Sequence, residues 1–178
     1  MSFFTVTHNL DKAARAIQQA ARRFPKSLAE GIAAWQREIE RDLESSTQTW
    51  KHDVTFHVKT LVQGSHVIGT VGTYDRVFGF VDEGTGLWGP KRAKYPIRPK
   101  RPGGVLVFQA GYRAKTIPGR IRSVSGGSFG ETVYSRGVMH PGIQPRHILA
   151  TVLDVAKHKL PRFLSKHLNP RAWVRVRK

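Results

Sequence analysis

The stretch from Phe80 to Pro102 constrains the fold more than any other part of the chain. It begins as an apolar strand, places acids at Asp82 and Glu83, and then breaks at Gly84 and Gly86. The residues after Gly86 are rich in Pro, Lys and Arg. This composition predicts a long basic arm that packs neither as ordinary helix nor as sheet.

The charge of the chain changes at the same place. Residues 1–83 hold 10 Lys and Arg against 10 Asp and Glu, whereas residues 84–178 hold 20 Lys and Arg against only Glu131 and Asp154. The whole formal charge of +18 therefore belongs to the second half. Such a charge requires an acidic partner. Nucleic acid is the usual one, and an acidic protein surface or an anionic membrane satisfies the same electrostatics.

Length and composition exclude several classes of protein. A chain of 178 residues is long enough for one domain with a core and an extended arm. The absence of cysteine excludes disulfides and thiolate metal ligands. The N-terminus lacks the pattern of a signal peptide, and no apolar run approaches the roughly 20 residues of a membrane span.

Two helices are predicted at the N-terminus. Asn9 caps the first, which spans residues 9–24 and is ended or kinked by Pro25. Ser27, with Glu30 in capping-box position, opens the second, whose apolar stripe runs to Leu43. A further helix is predicted near the C-terminus, with Pro145 as its first residue. Pro161 breaks or kinks that helix.

Alternating apolar residues predict an antiparallel meander with one face covered by the helices. Its strands are predicted at residues 54–58, 67–71 and 77–81, with a short buried strand at 105–108 and a further strand at 132–138. Residues 109–132 are rich in Gly and Arg, which fits either a long hairpin or a mobile loop. The tail from Trp173 to Lys178 fits an edge strand.

These elements predict a single α+β domain over residues 1–178. Residues 1–50 are helical, 51–140 form the sheet with the extended arm and loop, 141–170 form the C-terminal helix, and 171–178 form a basic tail.

Adjacent carboxylates at Asp82 and Glu83, together with His140, suit acid–base or metal chemistry, as in a nuclease. A strand end whose acids cap a turn or meet the basic arm is the favoured interpretation, because no third group stands at an informative spacing. The Gly-rich run from Gly84 resembles a phosphate-cradling loop only in composition, since it lacks the Lys-Ser/Thr ending and is not succeeded by a helix.

Three motifs in order resemble one family. They are Phe80-Val-Asp-Glu-Gly-Thr-Gly-Leu-Trp-Gly-Pro-Lys, then Val105-Leu-Val-Phe, then Val138-Met-His-Pro-Gly-Ile-Gln-Pro-Arg-His-Ile-Leu. The family is that of the tail-completion (minor tail, head–tail joining) proteins of long-tailed bacteriophages. The resemblance covers roughly residues 20–165. Two features depart from it, namely the long Gly/Arg-rich segment at 109–132 and the basic tail.

The resemblance implies a structural protein of the neck, without catalytic residues or cofactor, that forms a ring, commonly of six copies, around the DNA channel. The partners it implies are other copies, the tail terminator or tail tube, head-closure or neck proteins and genome DNA, and the location is the virion. The expected subunit or partner interface comprises Asp82, Glu83, Trp88, Pro90, Lys91, Tyr95, Arg98, Lys100, His140 and Pro141. Expected contacts with DNA or an acidic surface are Arg113, Lys115, Arg120, Arg122, Arg171, Arg175 and Arg177. The alternative is a free nucleic-acid-binding protein without sequence preference.

Overall fold

The computed structural model describes residues 7–64 and 66–168. Within them the chain forms three helices and six strands: α1 (Thr7–Thr47), β1 (His57–Gln63), β2 (His66–Gly72), α2 (Arg76–Glu83), β3 (Tyr95–Ile97), β4 (Leu106–Arg113), β5 (Gly127–Ser135), β6 (Val138–His140) and α3 (Ile148–His167). The predicted α+β class is confirmed. None of the described helices is both long enough and apolar enough to cross a membrane. The predicted tail strand lies outside the described residues.

The strands form three separate pairs, so the predicted meander is wrong in its connectivity. β1 pairs with β2, β4 pairs antiparallel with β5, and β3 pairs antiparallel with β6. The basic arm was predicted to pack neither as helix nor as sheet. The pairing of β3 with β6 shows that this was wrong, because β3 lies inside the arm. Of the two alternatives for residues 109–132, the structure has the hairpin.

The chain divides into two compact units. The first is drawn from Met1–Glu38, Val58–Val71 and Ala156–Lys178. Its polar centre is the buried side chain of Gln36, whose Nε2 donates to the carbonyl oxygens of Lys59 (3.1 Å) and Thr70 (2.8 Å). The hydroxyl of Thr60 donates to Oε1 of the same amide. One amide thus ties α1 to both strands of the β1–β2 hairpin.

Helix α1 runs through Pro25, where the sequence predicted a break. Proline removes one backbone donor and leaves the carbonyl four residues earlier without its helical partner. Residues 21–24 are exposed, so water can hydrogen-bond to the freed carbonyl. Beyond the proline, Ile39 and Leu43 are fully buried and fix the helix by packing.

The second unit comprises Ile39–His57 and Gly72–Val155 and contains most of the buried apolar residues. Its core is formed by Ile39, Leu43, Phe56, Phe78, Ile148 and Val152. The rings of Phe56 and Phe78 pack edge to face, with their centroids 5.3 Å apart.

Residues 77–81 lie in helix α2, although their alternation predicted a strand. Asp75 is the N-cap, and its carboxylate accepts a hydrogen bond from the amide of Phe78 at 2.7 Å. Gly84 ends the helix with φ of 82°. Short apolar runs do not distinguish helix from strand by periodicity, and here the capping aspartate decides the outcome.

Helix α3 begins at Ile148, three residues later than the predicted start at Pro145, and it continues through Pro161. Its start is delayed because the preceding backbone has other partners. The amides of Arg146 and His147 donate to the carbonyls of Val81 (3.0 Å) and Asp82 (3.1 Å).

Candidate functional site

Two motifs that lie more than fifty residues apart in the sequence meet in the second unit. The segment 81–87 and the segment 141–147 run alongside each other, and we call this pairing the clamp. The amide of Thr85 donates to the carbonyl of Ile143 (2.9 Å), and the amide of Leu87 donates to the carbonyl of Pro141 (2.8 Å). In return, the amide of Ile143 donates to Oγ1 of Thr85 (3.0 Å). The clamp therefore fixes the point at which the basic arm leaves the fold.

The glycines of the clamp are required by close backbone approach. Gly86 has φ of 62° and Gly142 has φ of 105°, and both values lie in the region that favours glycine. A Cβ at Gly86 would collide with the carbonyl of Pro141, and one at Gly142 would collide with that of Thr85. The glycine-rich run from Gly84 thus serves backbone packing.

The candidate acid–base residues have local structural partners. Oδ1 of Asp82 accepts a hydrogen bond from the amide of Leu149 (3.1 Å) at the start of α3, whereas Glu83 is exposed. Nδ1 of His140 accepts from the amide of Gly142 (2.9 Å). Residues 7–64 and 66–168 contain no group of three His, Asp or Glu side chains placed to hold a metal ion.

The arm, residues 88–102, leaves the clamp and presents most of its predicted interface residues to solvent. The strand β3 within it is held by β6, with Tyr95 opposite His140 and their rings 5.3 Å apart. The side chains exposed here are Trp88, Pro90, Lys91, Tyr95, Arg98 and Lys100, with Pro141 exposed on the clamp. The cations and aromatic residues of the arm are therefore available to a partner.

The hairpin β4–β5 carries exposed apolar side chains on a sheet of only two described strands. Val107 stands opposite Tyr134, and these residues are 59% and 71% exposed. Phe129 lies opposite Gly111 and its ring covers that glycine, so that a Cβ at Gly111 would lie 2.6 Å from it. This surface was not among the sites predicted from the sequence. The apolar run Val105-Leu-Val-Phe predicted a buried strand, but Val105 and Val107 are 51% and 59% exposed, because residue type does not reveal that the sheet has only two described strands.

The predicted DNA or acidic-surface contacts differ in their surroundings. Arg113 ends β4, and Arg120 and Arg122 lie in the connection to β5, all three exposed. Lys115 is half-buried, and its Nζ donates to the carbonyl of Thr49. The connection is tied to the end of α1, because the amide of Ser123 donates to the carbonyl of Ser45 at 3.0 Å. Arg171, Arg175 and Arg177 lie outside the described residues.

A pocket of about 490 Å³ lies within the second unit and was also missed. Its lining includes the cations Lys51, Lys115 and Arg146 and the aromatic residues Trp50 and Tyr112. Lys51 and Arg146 are nearly a hundred residues apart in the sequence; Lys51 stands in no recognisable motif, and the motif that contains Arg146 gave no indication of a pocket. Only the fold brings them together.

The carboxyl group of Asp75 has a lowered pKa. The amide of Phe78 donates to its carboxylate, and Nε2 of His52 lies 2.5 Å from the other carboxylate oxygen. Both interactions lower the pKa of Asp75 below its usual value of 3.8, and the hydrogen bond from Phe78 has the larger effect. The shift reflects capping of α2.

Comparison of the chain with protein families, with curated proteins and with solved structures found no match.

Proposed function

We propose that the protein is a structural subunit of a bacteriophage neck or tail, which completes the tail and joins it to the head. In this proposal several copies form a ring around the DNA channel. The family resemblance of residues 80–102 and 138–149 motivates the proposal, and the structure gives those segments a shared physical role in the clamp.

The observation that carries the proposal is the exposed β4–β5 hairpin. An isolated two-stranded sheet is at best marginally stable in water, and long open edges with apolar side chains favour pairing with another chain. Val107, Tyr134 and Phe129 are all more than half exposed on this hairpin. Such a surface suits a subunit whose neighbours cover it on assembly.

The arm supports the same role. Its base is fixed by the clamp and its strand β3 is fixed by β6, while Trp88, Lys91 and Lys100 project into solvent. Proline lowers the entropy that an extended segment loses on docking, so a proline-rich arm is suited to binding across a neighbouring subunit. The excess of cations after residue 84 suits a place beside DNA or acidic tail proteins.

Complementation tests the proposal in its biological setting. A variant with Lys91, Lys94 and Lys100 changed to Gln keeps β3 and removes three exposed cations of the arm. We expect tails that lack joined heads when this variant replaces the natural protein during phage assembly. Normal numbers of infectious particles would count against a role of the arm in assembly.

A further inference from the structure

The pocket in the second unit has an unbalanced charge. Three of its lining residues are cations, Lys51, Lys115 and Arg146, and none is an acid. Lys115 donates to the backbone at Thr49. The side chains of Lys51 and Arg146 have no hydrogen-bond or ion-pair partner within residues 7–64 and 66–168. Two charges that share one concave site without a counterion favour an anionic ligand.

The pocket also offers aromatic surface. Trp50 and Tyr112 both line it, and Tyr112 is 65% exposed. The ring of Trp50 contacts that of Phe78, with the centroids 6.3 Å apart, and Phe78 is buried in the core. A fixed aromatic residue beside cations is the combination that binds a nucleotide, since the base stacks while the phosphate meets positive charge.

The size of the pocket limits the ligand. A volume of about 490 Å³ falls within the range of roughly 300–1,000 Å³ that is typical of small-molecule sites. This volume can hold one nucleotide unit. A DNA duplex cannot place a base in the pocket, because its bases are accessible only within the grooves. Gly126, Gly127 and Ser128 form part of the lining with small or absent side chains, so the ligand can approach the backbone.

We propose that this pocket binds one nucleotide unit, with its phosphate held by Lys51 and Arg146 and its base against Trp50 and Tyr112. The unit belongs either to a free nucleotide or to a single strand of nucleic acid. An acidic peptide would satisfy the cations but would leave both aromatic residues without a stacking partner. This binding site is independent of the proposed role in phage assembly.

Direct titration of the full chain tests the proposal. The probes are adenosine 5′-monophosphate, a short single-stranded oligonucleotide, inorganic phosphate and a Glu-rich peptide of the same net charge as the oligonucleotide. We expect the mononucleotide to bind at least about fivefold more tightly than inorganic phosphate, because the base adds stacking. An oligonucleotide that binds more tightly than both the mononucleotide and the charge-matched peptide identifies the source as a strand, and equal affinities for the two nucleotide probes identify a free nucleotide.

A matched pair of variants assigns the binding to the pocket. The double substitution Lys51→Gln with Arg146→Gln should weaken mononucleotide binding by about tenfold or more, since two charged contacts are lost. The control, Arg162→Gln with Lys166→Gln, removes the same charge from exposed positions of α3 that do not line the pocket. It should change the affinity by less than about twofold at physiological salt.

Three results would overturn the proposal. They are equal affinities for inorganic phosphate and the mononucleotide, tighter binding of the Glu-rich peptide than of either nucleotide probe, and equal losses in the pocket variant and its control. The first two comparisons use the unaltered protein, so they do not depend on the folding of any variant.

Discussion

Thr85 and Ile143 hold each other through two hydrogen bonds. The amide of Thr85 donates to the carbonyl of Ile143 at 2.9 Å, and the amide of Ile143 donates to the Thr85 hydroxyl at 3.0 Å. This reciprocal pair lies at the centre of the clamp and is flanked by Gly84, Gly86 and Gly142. The two segments on which the proposed role in phage assembly rests are thus joined in a single structural element.

Substitution of the clamp glycines should destabilise the fold strongly. In Gly86→Ala or Gly142→Ala the new Cβ would meet a backbone carbonyl, and both positions have a φ that L side chains disfavour. We expect a loss of at least about 1–3 kcal/mol in the free energy of unfolding, measured with urea.

Gly79→Ala is the matched control for this experiment. Gly79 lies inside α2, and a Cβ there would have nothing within 4 Å. Because alanine is the better helix former, this variant should gain about 0.5–1 kcal/mol. If all three variants lost stability equally, close approach in the clamp would not be the cause.

Gln36→Leu should destabilise the first unit. It removes the hydrogen bonds that the buried amide makes to Lys59, Thr60 and Thr70, and it leaves two strand carbonyls without these donors. We expect a cost of about 1–3 kcal/mol in urea unfolding. Gln19→Leu, at an exposed position of the same helix, should change the stability by less than about 0.5 kcal/mol. Equal effects would contradict a bridging role for Gln36.

Capping of α2 should make part of the stability depend on pH. The pKa of Asp75 is lowered, so its ionised form stabilises the fold above the usual value of 3.8, and that contribution is lost as pH falls through the lower, folded-state pKa. At neutral pH, Asp75→Ala should cost about 0.5–2 kcal/mol.

The variant Asp75→Asn distinguishes the effect of the carboxylate charge from the effect of the capping hydrogen bond. Asparagine caps a helix nearly as well, so this variant should lie closer to the natural protein and should lose less stability on acidification. The urea midpoints of the two proteins should therefore converge as the pH falls from about 5 through 3.8 and below it. Asp53→Asn, at an exposed acid, is the control, and a constant gap across this range would contradict the capping account.

The exposed hairpin should drive association between chains. Val107→Thr with Tyr134→Thr places threonine, a β-branched residue that favours strands, at both positions and removes the directly opposed apolar pair. We expect weaker self-association with little loss of stability, measured by light scattering and urea unfolding. Tyr74→Thr removes a tyrosine that is 92% exposed and lies outside the hairpin. If this control dissociated the oligomer to the same degree, the hairpin would not be the interface.

Sequence patterns predicted the class of the fold and several elements, but not how the elements join. The apolar stripe of α1 continues at spacings of three and four from Ile17 through Phe24 and Leu28 to Leu43, but Pro25 favoured a break, so two helices were predicted where the structure has one. Helix α2 was predicted as a strand, because a short apolar run fits either element and the capping role of Asp75 was not recognised. The three separate strand pairs were also not predicted, because the pattern of a strand does not show which strand is its partner.

The candidate sites also include features that the sequence indicated and features that only the fold creates. The two glycine motifs were recognisable in the sequence, although their mutual contact was not, since hydrogen bonds between backbone groups leave no mark on residue type. Nothing in the sequence placed Lys51 and Arg146 in one site, because a pocket formed by tertiary contacts gives its lining residues no regular spacing. The sequence therefore indicated the arm and the two segments of the clamp, but not the pairing of those segments, the pocket or the exposed surface of the hairpin.

The mass of the purified protein in solution, measured over a range of concentrations with and without duplex DNA, tests the central claim most directly. We expect discrete oligomers at multiples of 20.0 kDa that close into rings and are weakened by the hairpin substitutions. A 20.0 kDa species at every concentration would contradict the proposed ring. If that monomer also held duplex DNA at moderate salt, the protein would be a free nucleic-acid binder.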